Sequence, residues 1–341
     1  MSLKNLNAKI KIPKILNVHL KNKRIYQIYL KFEKTLSINE KFVVAVSGGP
    51  DSLALAFLSK IYSIKKGVDV KYLIIDHKLR PESTIEAKKV QQLLKKKLIK
   101  SHILSWKGRK PLSNIQSLAR KKRYQLLIDS SRNSKSNNIL LGHHEDDLIE
   151  NFFIRLIRGS GLRGLVSLGR KKSNGDINFL RPLIDEKKDN LEYISNKVFN
   201  FYVRDPSNEN EKFMRIRIRK FINELHKLGL EKNKMIKTIN NLKKSDDVVS
   251  FYVNENLKKN TFFSKRKNHL IISSDFFKQP YEVIFRSISD SLRFVGNKYY
   301  PSRGKKLDLI VNKIRKKQLI KETLAGCIIK KVNGTVIISK E

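Results

Sequence analysis

Short apolar runs alternate with helical patterns between about residues 42 and 160. The apolar runs are each typical of a buried strand, and they occupy residues 42–46, 72–75, 103–104 and 139–141. Apolar residues at spacings of three and four predict helices at 52–65, 84–98 and 114–130. This alternation predicts an α/β fold with a doubly wound, Rossmann-like parallel sheet, whose ligand site lies at the carboxyl ends of the strands.

The pattern changes after about residue 185. Residues 186–200 and 213–245 have helical spacing, whereas the Lys- and Asn-rich stretch 254–268 predicts a loop or linker. Near the C-terminus, Asn333-Gly334 separates two short apolar runs, which predicts a β-hairpin. We therefore expect a mainly helical basic region and a small C-terminal α/β end to follow the doubly wound sheet.

The charge of the chain indicates a polyanionic partner. Its 341 residues include 73 Lys+Arg and 31 Asp+Glu, which gives a net charge of +42. Nucleic acid is the commonest partner of so basic a chain, although an AT-rich coding bias also enriches lysine. Cys327 is the single cysteine, so an intramolecular disulfide, a zinc ribbon and an iron–sulfur site within one chain are excluded. Its apolar neighbours predict a buried structural thiol.

The chain carries no sequence signal for a membrane or for export. No apolar run approaches the ~20 residues of a membrane span, and the first twenty residues lack a secretory or transit pattern. We therefore expect a cytoplasmic protein with no membrane partner. The sequence leaves the oligomeric state open, a homodimer included.

A phosphate-binding loop is predicted directly after the first strand, with the sequence Ser47-Gly48-Gly49-Pro50-Asp51-Ser52. Two glycines allow a tight turn that directs backbone N–H groups at an anion, and the following helix N-terminus adds partial positive charge. Asp51 would repel phosphate unless a cation lies between them, which indicates Mg²⁺. A Walker loop is excluded because its lysine is missing, and a dinucleotide fingerprint because its third glycine is missing.

The loop resembles the PP-loop of the N-type ATP pyrophosphatases. That resemblance implies cleavage of ATP between the α and β phosphates, with the loop holding the pyrophosphate. Sulfur-transferring members use nucleophilic cysteines, which this chain lacks apart from Cys327. Glutamine-dependent members need a cysteine-based glutaminase, and none is present in the sequence.

Further motifs resemble the lysidine synthase family over about residues 42–222. They follow in the family's order and are Asp76-His77-Lys78-Leu79-Arg80, Ala119-Arg120 with Arg123-Tyr124, Gly142-His143-His144-Glu145-Asp146-Asp147, Arg158-Gly159-Ser160-Gly161, Asp205-Pro206-Ser207-Asn208, and Arg215-x-Arg217-x-Arg219. Lys78 replaces the usual glycine, and Ile216 stands where asparagine is usual.

The resemblance implies a two-step reaction on RNA. ATP would adenylate O2 of the wobble cytidine in an isoleucine tRNA with a CAU anticodon, and the ε-amine of L-lysine would then displace AMP. ATP, Mg²⁺, L-lysine and this tRNA are the expected ligands. We divide the chain into a basic extension (1–40), a catalytic PP-loop domain (41–225) and a basic tRNA-binding region (226–341).

The residues and the resemblance together suggest a role for each candidate site residue. Catalytic roles fall to Asp51, Asp147, His143, His144 and Arg120. Nucleotide binding falls to Ser47, Gly48, Gly49, Pro50, Asp51, Ser52, Asp76 and Gly142, and metal binding to Asp51 and Asp146. RNA phosphate binding falls to Arg158, Arg215, Arg217 and Arg219.

Structural interpretations of the same residues stay open at this point. Acidic residues such as Asp146 and Asp147 stabilise the first turn of any helix, and Gly159 can simply end one. Two rival functions also remain. One is a PP-loop enzyme that joins another nucleophile to an activated tRNA base, and the other is a basic RNA-binding protein with an inactive loop.

Overall fold

The computed structural model describes residues 12–106, 108, 115–203, 211–297 and 304–341. Contacts divide the chain into two compact units, Met1–Lys237 and Thr238–Glu341, which are described separately. This division lies within one long helix, about twelve residues beyond the domain boundary that the sequence suggested. The predicted motif at 205–208 lies outside the described residues.

The first unit is an α/β structure whose described strands all belong to one sheet. Its strands are β1 (Phe42–Val46), β2 (Val70–Asp76), β3 (Ser101–Ser105), β4 (Asn138–Leu140), β5 (Lys171–Asn174) and β6 (Ile177–Leu180). Its helices are α1 (Lys14–Leu20), α2 (Lys23–Thr35), α3 (Pro50–Lys66), α4 (Ser83–Lys96), α5 (Ile115–Asn133), α6 (Glu145–Ile157), α7 (Leu162–Leu165), α8 (Lys188–Phe199) and α9 (Met214–Lys227), and α10 (Lys232–Asn260) begins there.

The sheet has the strand order β3-β2-β1-β4-β6-β5. Every pairing is parallel except β5 with β6, an antiparallel hairpin at the edge that the sequence pattern did not predict. The order runs outward from β1 in both directions, which confirms the predicted doubly wound α/β fold. The loops after β1 and β4 meet where the order reverses, and ligands bind at such a point in open α/β sheets.

The N-terminal segment contributes to the core of this unit. Helices α1 and α2 bury Leu16, Ile25, Tyr29 and Phe32 against the apolar side chains of α3 and α8. Asn22 begins α2 as its N-cap, because its side-chain oxygen accepts a hydrogen bond from Ile25 N at 3.1 Å. The described part of the predicted extension, residues 12–40, therefore packs on the sheet domain rather than standing apart from it.

The second unit combines helices with an antiparallel sheet of order β7-β8-β11-β10-β9. Its elements are the remainder of α10, β7 (Thr261–Ser264), β8 (His269–Ile272), a 3₁₀ helix (Ser274–Lys278), α11 (Tyr281–Val295), α12 (Gly304–Arg315), β9 (Lys321–Leu324), β10 (Cys327–Val332) and β11 (Thr335–Lys340). The Asn333-Gly334 hairpin is confirmed: Val332 pairs with Thr335, and Asn333 has φ 51°. Cys327 is buried, as predicted.

The predicted linker at 254–268 is wrong. Helix α10 continues to Asn260 and β7 begins at the next residue, so only a short turn remains before β8. The reason is tertiary: Val253 and Asn256 are buried, and Leu257 packs on the core of the second unit. Burial of these side chains outweighs the weak helix propensity of the surrounding asparagines. Among the residues described, no helix is long and apolar enough to cross a membrane.

Candidate active site

The phosphate loop connects β1 to α3 and is closed by the side chain of Ser52. Its Oγ accepts hydrogen bonds from Ser47 N and Gly48 N, both at 3.1 Å, and donates to Gly49 O at 2.9 Å. Pro50 is the first helical residue, a position where its missing N–H costs nothing. The Ser52 hydroxyl thus shapes the loop itself, whereas the sequence suggested it only as a nucleotide-binding residue.

Neighbouring elements hold the loop from two sides. Gly48 has φ +88°, and its carbonyl accepts a hydrogen bond from Val203 N at 2.9 Å. A Cβ at Gly48 would lie only 2.6 Å from a methyl group of Val90 on α4. On the other side, a Cβ at Gly142 would lie 3.2 Å from backbone atoms of Asp51 and Ser52. Glycine at 48 and 142 therefore permits close approach of the backbone.

His144 connects the start of α6 to the phosphate loop. It is the N-cap of α6, where its Nδ1 accepts a hydrogen bond from Asp146 N at 3.2 Å. Because Nδ1 is the acceptor, a neutral His144 carries its proton on Nε2. Nε2 lies 3.6 Å from Asp51 Oδ2 and 3.5 Å from Asp147 Oδ2. The ring therefore lies between two carboxylates that come from different βα turns.

Asp147 is held as a carboxylate by its surroundings. Its Oδ2 accepts from His144 N at 3.1 Å, and its Oδ1 accepts from Arg215 Nη2 at 2.9 Å. Burial alone would raise the pKa of this carboxyl, but His144, Arg215 and the hydrogen bond from His144 N outweigh burial and hold the pKa below its usual range. Both oxygens of Asp147 are engaged, which makes it a better orienting charge than a proton acceptor.

Two arginines of α9 bind the acidic face of α6. Glu150 is buried, and it lies 2.6 Å from Arg215 Nε and 2.5 Å from Arg219 Nε. Arg215 and Arg219 are four residues apart and share one face of α9, whereas Arg217 lies on another face and is exposed. Of the arginines suggested for RNA phosphates, the structure places Arg215 and Arg219 against carboxylates.

Replacing Arg215 with methionine is expected to destabilise the first unit by about 2 kcal/mol. The substitution leaves Oδ1 of the buried Asp147 without its ion-pair partner, whereas Glu150 keeps Arg219. Chemical denaturation measures the loss. Arg217→Met on the same helix is the matched control, because an exposed substitution changes stability by only about 0.5 kcal/mol. Equal effects of the two substitutions would show that the ion pairs do not stabilise the fold.

Asp51 is a suitable ligand for a cation, and its environment supports the suggested Mg²⁺ role. Its Oδ1 is buried and has no hydrogen-bond partner among the residues that the structure describes. Burial raises the pKa of this carboxyl above its usual range, against the opposing effect of His144. Mg²⁺ is typically held by one or two carboxylates together with substrate phosphates and water, so a single free carboxylate oxygen beside a phosphate loop fits the ion.

Asp146, the second suggested metal ligand, has a different partner. Its carboxylate lies 2.9 Å from the ammonium of Lys232 at the start of α10. Within the described part of the chain, no group of three or more His, Cys, Asp or Glu side chains could hold a metal ion. Any Mg²⁺ at this site would therefore depend on Asp51 and on the phosphates of its ligand.

Asp76, suggested for nucleotide binding, is engaged locally at the carboxyl end of β2. Its carboxylate accepts hydrogen bonds from Lys78 N at 2.9 Å, Ser83 Oγ at 2.9 Å and Thr84 Oγ1 at 2.7 Å. Burial opposes ionisation, but these hydrogen bonds hold the pKa of the carboxyl below its usual range. The side chain therefore organises the turn into α4.

The remaining suggested residues lie around this centre. Arg120 on α5 donates to Tyr124 Oη at 3.1 Å and covers the ring of Tyr124. Arg158 is exposed at the C-terminal end of α6. Gly159, with φ 65°, donates to Leu156 O and ends the helix, which confirms its interpretation as a C-terminal cap residue.

His143 is half-buried in the turn before α6. Its Nδ1 is buried and has no hydrogen-bond partner among the described residues, and burial lowers the pKa of the ring to about 3. It is therefore neutral near pH 7.

The sequence spacing places Glu150 on one helix face with Asp147, but it did not predict that two arginines share Glu150. The four-residue spacing of Arg215 and Arg219 was the available signal, because it places both on one helix face.

The class of protein is shown by residues 19–226, which match the PP-loop domain family. Among solved structures, the U34-tRNA thiolase NcsA from Methanococcus maripaludis has the same fold, with a TM-score of 0.56 and 18% identity over 65% of this chain and 79% of that chain. The family match over residues 19–226, together with the doubly wound sheet and the loop after β1, defines a PP-loop ATP pyrophosphatase domain.

Two relatives that align with most of this chain identify the family more specifically. The tRNA(Ile)-lysidine synthase of Wolbachia sp. subsp. Brugia malayi (strain TRS) is 31% identical over 306 residues, which covers 89% of this chain and 71% of the relative. The tRNA(Ile)-lysidine synthase of Orientia tsutsugamushi (strain Boryong) is 32% identical over 313 residues, with 89% and 70% covered. The chain belongs to the tRNA(Ile)-lysidine synthase family, and it is an ATP-dependent ligase.

Proposed function

We propose that the enzyme joins L-lysine to C2 of the wobble cytidine in an isoleucine tRNA with a CAU anticodon. In the first step, O2 of the cytidine attacks the α-phosphate of ATP and pyrophosphate leaves. In the second, the ε-amine of lysine attacks C2, and the C2–O2 bond breaks as AMP leaves with that oxygen. The observation that carries the proposal is that Asp51 of the phosphate loop and Asp147 of α6 share His144 as a neighbour.

The phosphate loop serves the first step. Backbone N–H groups at the start of α3 and the helix dipole stabilise the negative charge that develops on the leaving pyrophosphate. Mg²⁺, when bound at Asp51, supplies further positive charge to the phosphates. His144 positions the Asp51 carboxylate, since its Nε2 lies beside Oδ2, while Oδ1 has no hydrogen-bond partner in the described part of the chain.

The acidic centre serves the second step. The lysine ammonium has a reference pKa of about 10.4 and must lose a proton before it attacks. The carboxylates of Asp51 and Asp147 draw the ammonium into a buried site. The carboxylates raise the pKa of the bound ammonium and desolvation lowers it, so the proton passes to water where desolvation outweighs their charge. His143, neutral and with Nδ1 unpartnered, can orient the resulting amine by a hydrogen bond.

Exposed cations around this centre contact the RNA. Arg158 and Arg217 are exposed at α6 and α9, the two helices that carry the acidic centre and the arginines bound to it. They suit the backbone phosphates of an anticodon loop, whose unpaired bases can enter a pocket. Arg215 and Arg219 act instead as positioning residues for Asp147 and Glu150.

Incorporation of radiolabelled lysine tests the proposal. Purified protein is incubated with ATP, Mg²⁺ and the isoleucine tRNA transcript, and a transcript with uridine in place of the wobble cytidine is the matched control. The expected result is label in the first transcript and none in the second. Absence of label with tRNA-dependent release of AMP would indicate another nucleophile. Absence of both would leave the RNA-binding interpretation.

A further inference from the structure

We propose that an exposed apolar patch on α6 and α9 is a stacking platform for a base of the anticodon loop next to the reactive cytidine. The patch comprises Phe221 on α9 with Leu156 and Ile157 on α6, and we call it the α6–α9 patch. The inference rests on the proposed function, because it assigns part of the RNA substrate to a particular surface. Nothing in the two-step chemistry itself requires these three side chains.

The patch lies along the same two helices as the acidic centre. Contacts between α6 and α9 follow in parallel order, from Asp147 with Arg215, through Glu150 with Arg219, to Phe153 with Phe221. Phe153 is six residues beyond Asp147, which is about 9 Å along a helix axis. A nucleotide adjacent to one that enters the centre can therefore reach the patch.

Phe221 has the exposure and the support that stacking needs. Its side chain is 46% exposed, and its ring contacts the buried Phe153 edge to face, with centroids 5.6 Å apart at 84°. That contact restrains the ring while nearly half of the residue stays exposed. Unpaired RNA bases are commonly bound by stacking on aromatic side chains held in this way.

Leu156 and Ile157 extend the apolar surface by one turn of α6. They follow Phe153 by three and four residues, so they lie on the same side of the helix, and they are 49% and 58% exposed. Single exposed apolar residues are ordinary, but three of them on two packed helices beside a functional site indicate an interaction surface.

Charge around the patch favours RNA over another protein surface. Arg217 precedes Phe221 by one helical turn and shares its face, and Arg158 directly follows Ile157. Both arginines are exposed. Pairing of two copies of this surface would bring these like charges together, whereas RNA supplies the complementary phosphates.

Phe221→Leu is the informative substitution, because leucine keeps an apolar contact with Phe153 but removes the stacking face. We expect tRNA binding to weaken about tenfold, and to be largely restored in Phe221→Trp. Tyr26→Leu on α2, also an exposed aromatic in the first unit, is the matched control and should bind tRNA normally. Unchanged denaturation midpoints exclude misfolding.

Salt dependence and a fluorescent base separate stacking from charge. The tenfold loss in Phe221→Leu should be the same at all salt concentrations, whereas Arg217→Gln should reduce the salt slope by about one. 2-Aminopurine is placed on either side of the cytidine in separate transcripts. Its fluorescence should be quenched at one of the two positions when the wild type binds, and at neither position when Phe221→Leu binds.

Normal tRNA binding by Phe221→Leu overturns the inference, and so does a change confined to self-association in sedimentation. These outcomes are independent of the proposed reaction. If the wild type forms lysidine while Phe221→Leu binds tRNA normally, only the patch is wrong. If Phe221→Leu loses tRNA binding while the wild type incorporates no lysine, the patch stands and the reaction is wrong.

Discussion

Asp51→Asn should reduce the rate of lysidine formation by about 10²–10³-fold while leaving tRNA binding unchanged. Asparagine keeps the shape of the side chain but removes the charge whose free Oδ1 we assign to Mg²⁺ beside the phosphates. Loss of one preorganised electrostatic contribution to a transition state has effects of this size. Single-turnover assays at saturating ATP, Mg²⁺ and tRNA measure it.

The pH profile makes this prediction specific. Burial raises the pKa of Asp51, so acidification protonates it at a higher pH than an ordinary aspartate. The activity of the wild type therefore falls as the pH drops through this raised pKa, because the carboxylate becomes protonated. The residual activity of Asp51→Asn should not show this decrease. Asp189→Asn, an exposed aspartate in the first turn of α8, is the control and should retain normal activity. Comparable activity of Asp51→Asn and Asp189→Asn would contradict the assignment.

Gly48→Ala should cost about 3 kcal/mol of stability and at least 100-fold in activity. An alanine at φ +88° is strained, and its Cβ would meet Val90 Cγ2 at 2.6 Å and Val203 Cγ2 at 3.0 Å. The loop must shift to relieve these contacts, and a displacement of about 1 Å at a reacting group can cost 10²-fold. Thermal denaturation and ATP-dependent lysine incorporation measure the two effects.

The adjacent glycine provides the matched control. Gly49 has φ −72°, and among the described residues a Cβ there would have only Ser47 Oγ within contact distance, at 3.8 Å. Gly49→Ala should therefore be close to wild type in stability and lose less than tenfold in activity. If the two alanine substitutions have equal effects, then the close approach of α4 and residue 203 to Gly48 is not what shapes the loop.

Sequence reasoning was most successful where local rules apply. Buried strands and amphipathic helices can be read from apolar spacing, and their alternation determines a parallel sheet with its ligand site at the carboxyl ends. The packing of Gly142 on the backbone of Asp51 agrees with that rule, because these residues follow the neighbouring strands β4 and β1. The Asn333-Gly334 hairpin was likewise predictable, since two residues suffice to define such a turn.

Sequence reasoning failed where distant burial overrides local preference. The Lys- and Asn-rich stretch after residue 254 continues as helix because Leu257 packs on a core formed by the last seventy residues of the chain. The residues before β1 pack on α3 and α8 for the same reason. Neither outcome is visible in a window of ten or twenty residues.

By itself, the sequence determined the doubly wound sheet, the phosphate loop and the family to which the chain belongs. Only the tertiary structure decided the partners of its charged side chains. Arg215 and Arg219 are more than sixty residues from Asp147 and Glu150, and they pair because α9 packs parallel to α6. Propensity and periodicity act over a few residues, whereas the energy of an ion pair depends on which distant surfaces meet and on how far burial removes them from water.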